Sequence, residues 1–274
     1  ILDVDYDDGC SDMDITFDGI GFVNANMSSS KNNAAFYSYC ANGNVSITIK
    51  NCHFTGNTHV TDDDGSNGAA LLIFSVKNVT IENTVFANNT AVCAPAITIA
   101  DTKATITNCR FENNEATQNA GVVYVNSGAT PTFNDCVFTG NKALKWGMVQ
   151  HQSGTTTLND CIFTKNTTDD GWDGGAIAVC KNSSGKVVIN GGEISENHAG
   201  WGPAFYQDKL GGSKVATIYA NDVLIKDNSS AGSGAVWANG VTELTRCVLD
   251  GNTAGGTGTS DATALVVAKG ADIC

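Results

Sequence analysis

The chain is short of the residues on which several common functions depend. In 274 residues it has only 15 lysines and arginines against 28 aspartates and glutamates, with four histidines, three prolines and three methionines. The net charge of −13 argues against nucleic acid, whose phosphates need basic side chains. It favours solubility and divalent cations. The longest largely apolar run, Ala69–Val76, is far too short to cross a bilayer, so no transmembrane segment is expected. Ala, Glu, Lys and Leu nowhere cluster at helical spacing, and only 16% of residues are charged. With no initiating methionine and no signal peptide, Ile1 reads as the start of a mature, processed product or of an internal fragment.

What the chain has is glycine (30 residues), 42% apolar residues, and much Thr, Val, Ile and Asn, which is strand-and-turn chemistry. Two phrases recur. The first places Phe54, Phe86, Phe111, Phe138 and Phe163, then Ile194, Ile225 and Leu249, three residues before Asn57, Asn89, Asn114, Asn141, Asn166, Asn197, Asn228 and Asn252. The second is small-small-Ala-aliphatic, centred on Ala70, Ala96, Val122, Met148, Ala176, Ala204, Ala235 and Ala264. The period varies from 24 to 32 residues. Each unit holds three short apolar strands that cannot bury their own apolar face. Stacking the units into a parallel β-helix solves this, each strand pairing with its copy in the next coil.

The expected fold is therefore all-β: a single-domain parallel β-helix of about 8–9 coils over residues 15–274, with residues 1–14 as an acidic N-terminal cap. At about 4.8 Å per coil the rod is roughly 40 Å long. The phenylalanines should stack inward as a column. The asparagines should mark a corner, tolerating left-handed backbone and bonding to their copies above and below.

Phe-x-x-Asn alternating with Gly-Gly-Ala-Ile/Leu/Val resembles the repeat of the chlamydial polymorphic outer membrane proteins over roughly residues 15–268. The resemblance implies a right-handed parallel β-helix displayed outside the cell, often adhesive or self-associating. No C-terminal membrane barrel follows Cys274, a departure from that pattern.

Candidate sites follow from the register. The outward positions of the second-phrase strand, among them Leu72, Thr98, Tyr124, Gln150, Ala178, Tyr206 and Trp237, carry no charge. This leaves no catalytic groove on that face and predicts an exposed, mostly apolar strip. Trp146, Trp172 and Trp201 sit two to four residues before it in successive coils. The strip with this rim is expected to contact another copy, another protein or a glycan; a cover of longer loops is the alternative. Cys52, Cys109, Cys136, Cys161 and Cys247 share one register and are expected to be buried thiols. Cys10, Cys40, Cys93, Cys180 and Cys274 lie off it and are the disulfide candidates. Asp3, Asp5, Asp7 and Asp14 fall at calcium-loop spacing, without its glycine position or its bidentate Glu; calcium is the one cofactor the sequence suggests. Asp62–Asp64 and Asp169-Asp170 lie on loops too far apart to share an ion. Among seven Asn-x-Ser/Thr sequons, Asn26, Asn44, Asn78, Asn88 and Asn182 are glycan acceptors, whereas Asn166 and Asn228 belong to the corner. The sequons and ten cysteines point to a secreted or cell-surface protein. His151 and Gln207 fall at inward positions and are expected to be exposed where strands end early.

The last strand, at 264–267, leaves no room for a capping helix, so end-to-end contact is expected. The first functional reading is thus a non-enzymatic extracellular structural protein that assembles into a filament or surface layer as a homopolymer. The alternative is a monomeric adhesin or glycan-binding module. A polysaccharide lyase or hydrolase comes last.

Overall fold

The computed structural model describes residues 2–6, 12–27, 34–40, 44–60, 68–118, 121–179, 185–207, 216–255, 265–267 and 272–273. These residues form strands and turns, without a helix. They wind into a right-handed solenoid with four parallel sheets. Sheet A has ten strands, from Leu2–Tyr6 to Leu265–Val267. Sheet B has ten, from Met13–Asp18 to Asp272–Ile273. Sheet C has nine, from Gly21–Val23 to Val248–Asp250, and sheet D nine, from Asn26–Met27 to Thr253–Ala254. The sequence suggests three strands per coil; the fourth is the sheet D strand after the corner asparagine. It is mostly two residues long, as at Thr90–Ala91, too short for period-2 alternation to show. Within the segment expected to cap the first coil, Leu2–Tyr6 already pairs in parallel with Phe36–Cys40.

Stacking is in register. Phe22, Phe54, Phe86, Phe111, Phe138 and Phe163 form one column, adjacent rings lying 4.3–5.1 Å apart and within 8° of parallel. Each fully buried ring contributes roughly 3–5 kcal/mol by the usual cost of truncating it to alanine.

The corner between sheets C and D is the asparagine ladder, and each amide reaches three coils. Asn141 Nδ2 donates to Phe111 O one coil back (2.8 Å) and to Asn166 Oδ1 one coil on (2.9 Å). Its Oδ1 accepts the backbone N–H and the Nδ2–H of Asn114, at 2.9 and 3.0 Å. The same pattern runs from Asn57 to Asn252. Every polar atom of such an amide is bonded, so the desolvation cost of burial is offset by hydrogen bonds. The left-handed backbone is not on these asparagines, as the sequence suggests, but one residue earlier: Asn24, Gly56, Asn88, Asn113, Gly140, Lys165, Glu196, Asp227 and Gly251 all have positive φ. The ladder residue keeps ordinary backbone because its side chain supplies the corner's bonds.

The corner between sheets B and C explains the cysteine register. A residue with φ of 49–58° (Asn51, Asn83, Asn108, Asp135, Asp160, Asp222, Arg246) turns the chain. At most of these turns the next residue donates back to the carbonyl two positions before it. Cys52, Cys109, Cys136 and Cys161 do so at 3.1–3.5 Å, and Thr84 does so at 2.9 Å. A thiol or a hydroxyl serves equally. These four cysteines are buried and Cys247 is half-buried; all five are reduced. The adjacent Cys136 sulfur and burial push the thiols of Cys109 and Cys161 upward, away from the thiolate.

Two expectations about sheet A are corrected. His151 and Gln207 are fully buried, not exposed, because the strands Val149–His151 and Phe205–Gln207 keep their pairing to the last residue. Gln207 is well bonded there: Nε2 donates to Ala216 O (2.7 Å), and Oε1 accepts from Asn239 N (3.1 Å) and Thr242 Oγ1 (3.2 Å). The outward strip is also not exposed. Leu72, Thr98, Gln150 and Ala178 are buried and Tyr206 is 8% exposed, while Tyr124 and Trp237 are half-buried. The chain's own connections from sheet D to sheet A lie over this face. Val92 and Cys93 pack against Tyr124. Gly174 and Gly202, both at positive φ, pass so close that an added Cβ would stand 3.2 Å from the Tyr206 Cβ and 3.1 Å from the Trp237 Cβ respectively.

Candidate functional site

These connections carry the chain's most distinctive chemistry where three neighbouring coils meet. They follow the sheet D strands Lys142–Ala143, Thr167–Thr168 and His198–Trp201. Backbone bonds lace them together: Trp146 N–H donates to Asp173 O (2.8 Å) and Gly174 N–H to Trp201 O (2.8 Å), while Asp173 and Trp201 form an isolated bridge. The middle connection is the longest. Its Trp172 N–H donates to Asp169 O (2.9 Å), closing a turn that carries the indole outward to 42% exposure. One coil back, Lys145 directs its Nζ between two indoles, 4.9 Å from the Trp146 ring centroid and 4.8 Å from that of Trp172. Trp146 holds φ at 68°, a conformation that is an outlier for a bulky side chain.

Beside the tryptophans is a shallow depression of about 90 Å³ lined by Glu115, Ala116, Thr117, Lys142, Leu144 and Asp169. Lys142 Nζ lies 3.6 Å from Glu115 Oε1, and both side chains are largely exposed. At the start of the strand His198–Trp201, His198 joins Asp170 Oδ1 of the middle connection (2.6 Å) and Ser229 Oγ (2.8 Å). The corner thus combines flat aromatic surface with hydrogen-bonding carboxylates, hydroxyls and ammonium groups, open to water.

Of the contact residues expected from the sequence, Trp146 and Trp172 come together here around Lys145. Trp201 adjoins them through its backbone, with its indole against Gly232 of the following coil, whereas Tyr124, Tyr206 and Trp237 lie under the connections on sheet A. Sequence reasoning missed Lys145, Glu115, Lys142 and His198; the Lys145-Trp146 pair was the available signal, but its second ring comes from the next coil. The acceptors Asn26, Asn44, Asn78 and Asn88 are exposed, while Asn166 and Asn228 are buried in the ladder. Asn182 lies outside the described residues. Among the disulfide candidates Cys40 is disulfide-bonded and Cys93 is buried; Cys10, Cys180 and Cys274 lie outside the described residues. Asp3 and Asp14 are exposed on strands of different sheets, Asp5 is in the first strand, and Asp7 lies outside the described residues. Among the described residues no helix is long and apolar enough to cross a membrane.

The family model for the right handed beta helix region matches residues 14–147. No curated protein and no solved structure matches the chain. Past residue 147 the same four strands and the same Asn ladder continue to Thr253–Ala254. Family match and coil geometry agree: this is a right-handed parallel β-helix repeat protein.

Proposed function

We propose that the protein is a non-enzymatic, secreted or surface-displayed β-helix that binds glycans through its tryptophan corner. The observation that carries this reading is Trp172, 42% exposed and facing Trp146 across Lys145, beside a depression lined by Glu115, Thr117, Lys142 and Asp169. Aromatic faces cover the apolar side of a sugar ring while such polar groups bond its hydroxyls. Exposed sequons on other coils and the adhesive role implied by the resemblance fit the same reading. The polymer reading has two supports, end-to-end contact and the uncharged strip; the chain's own connections cover the strip, so only the coil ends are left to carry it. Catalysis is disfavoured because Glu115 and Lys142 sit in water as an exposed pair, without the enclosed space in which acid–base groups gain strength.

The test is a glycan array probed with the wild type and with Trp172→Ala. Because the indole is exposed, the variant should unfold within about 0.5 kcal/mol of wild type yet lose its array signals. Signals that survive unchanged in the variant would place binding elsewhere and remove the reading.

A further inference from the structure

The tryptophan corner already holds a ligand of a recognisable kind. Lys145 Nζ stands 4.9 and 4.8 Å from two indole centroids, and two aromatic faces sharing one cation is the arrangement by which proteins take up quaternary ammonium groups. Among the described residues Lys145 forms no salt bridge, so the rings are what its ammonium faces. An exposed cation–π contact of this sort is weak, about 0.5–1 kcal/mol, and a ligand can displace it. The cage is also strained: Trp146 is the one aromatic residue with positive φ among the described residues. Such strain persists where surrounding structure over-determines it, typically at ligand sites. The backbone bond from Trp146 N to Asp173 O supplies that determination. Charge complementarity points the same way. Asp169 and Asp170 lie on the loop that bears Trp172, Glu115 lines the adjoining depression, and the whole chain carries −13, which draws cations in.

We propose that Trp146 and Trp172 form a cage for a trimethylammonium group, with Lys145 as a tethered occupant that the ligand displaces. This rests on the glycan reading and sharpens it: the preferred ligand is a glycan substituted with a choline-type group, not a neutral sugar. Strongly hydrated primary ammonium groups should compete poorly, since a tethered one is already present.

The experiment is a tryptophan-fluorescence titration with choline and with 3,3-dimethylbutanol, which has the same shape but no charge. Wild type, Lys145→Gln and Trp172→Ala are compared. Choline should quench saturably and the neutral alcohol should not. Lys145→Gln should bind choline about two- to fivefold more tightly, the equivalent of the lost cation–π contact, and Trp172→Ala should not respond. Equal response to both compounds, or silence of wild type and Lys145→Gln alike toward choline, overturns the proposal. If choline is silent while neutral glycans still give Trp172-dependent array signals, the ammonium cage is wrong and the glycan reading stands. If neither binds, both fall.

Discussion

Asn141 and His151 are both fully buried in the same coil, yet their surroundings differ completely. Asn141 stands in a row where every coil offers the same amide, and all of its polar atoms are bonded. His151 stands in the inner column of sheet A, between Val125 and Val179. Its Nδ1 reaches Thr156 Oγ1 at 3.0 Å, while Nε2 has no partner among the described residues. Ser38, in the same column, likewise has an unbonded Oγ among them. Repetition satisfies a buried polar group because its copy supplies the partner. A polar residue that enters once must find its bonds locally, as Gln207 does and His151 does only in part.

The largest way to break this contrast is Asn141→Ala. It strands two donors of Asn114, each an unsatisfied buried group costing about 1–3 kcal/mol. It also takes one bond each from the Phe111 carbonyl and from Asn166 Oδ1, which keeps the backbone N–H of residue 141. Relaxation and water entry recover part of that, leaving an expected loss of about 4 kcal/mol in urea unfolding. A loss under about 1 kcal/mol would mean that the ladder is a by-product of stacking.

Next comes the proton on His151. Burial holds this imidazole down at about 4, against an ordinary 6.5 and an opposing contact to the Gly154 carbonyl. The unfolded chain therefore binds the proton first as pH falls. Stability from neutral His151 is complete above pH 6.5 and declines between 6.5 and 4, by about 3 kcal/mol in all. His151→Val, which extends the neighbouring valine column, should remove that slope. The check is the wild-type-minus-variant difference in unfolding free energy across pH 4–7; a flat difference would show that His151 is solvated.

The smallest effect sharpens the rule at the other corner. Cys109→Thr puts the residue of the preceding coil, Thr84, into the next rung and should change stability by about 1 kcal/mol or less. Cys109→Val keeps the bulk but leaves the Thr107 carbonyl without this donor, and should cost more. Thermal unfolding of the pair gives the order; Val tolerated better than Thr would make the position purely apolar.

The repeat was legible because identical residues recur at identical places: the Phe column, the Asn ladder and the Ala-aliphatic corners all carry a one-dimensional signal. The two-residue strands of sheet D were not, since two residues hold no period. The fate of sheet A's outer face was equally hidden. Alternation assigns Leu72 and Tyr206 to the outside, and only the path of the connections, which do not repeat, shows that the outside is covered. The candidate site has the same origin. Trp146, Trp172 and Trp201 could be found as a rim, but a Lys145 ammonium between rings from two coils exists only after those coils stack.

The ladder also gives the molecule a direction. In every link Nδ2 points to the following coil and Oδ1 to the preceding one, from Asn57, whose oxygen accepts the Ala25 N–H, to Asn252. The amide dipoles therefore add head to tail along the axis, as peptide dipoles do in an α-helix, and hydrogen bonds chained this way polarise one another. The row is a vector as well as a fastener. It carries partial negative charge at its N-terminal end and partial positive charge at its C-terminal end.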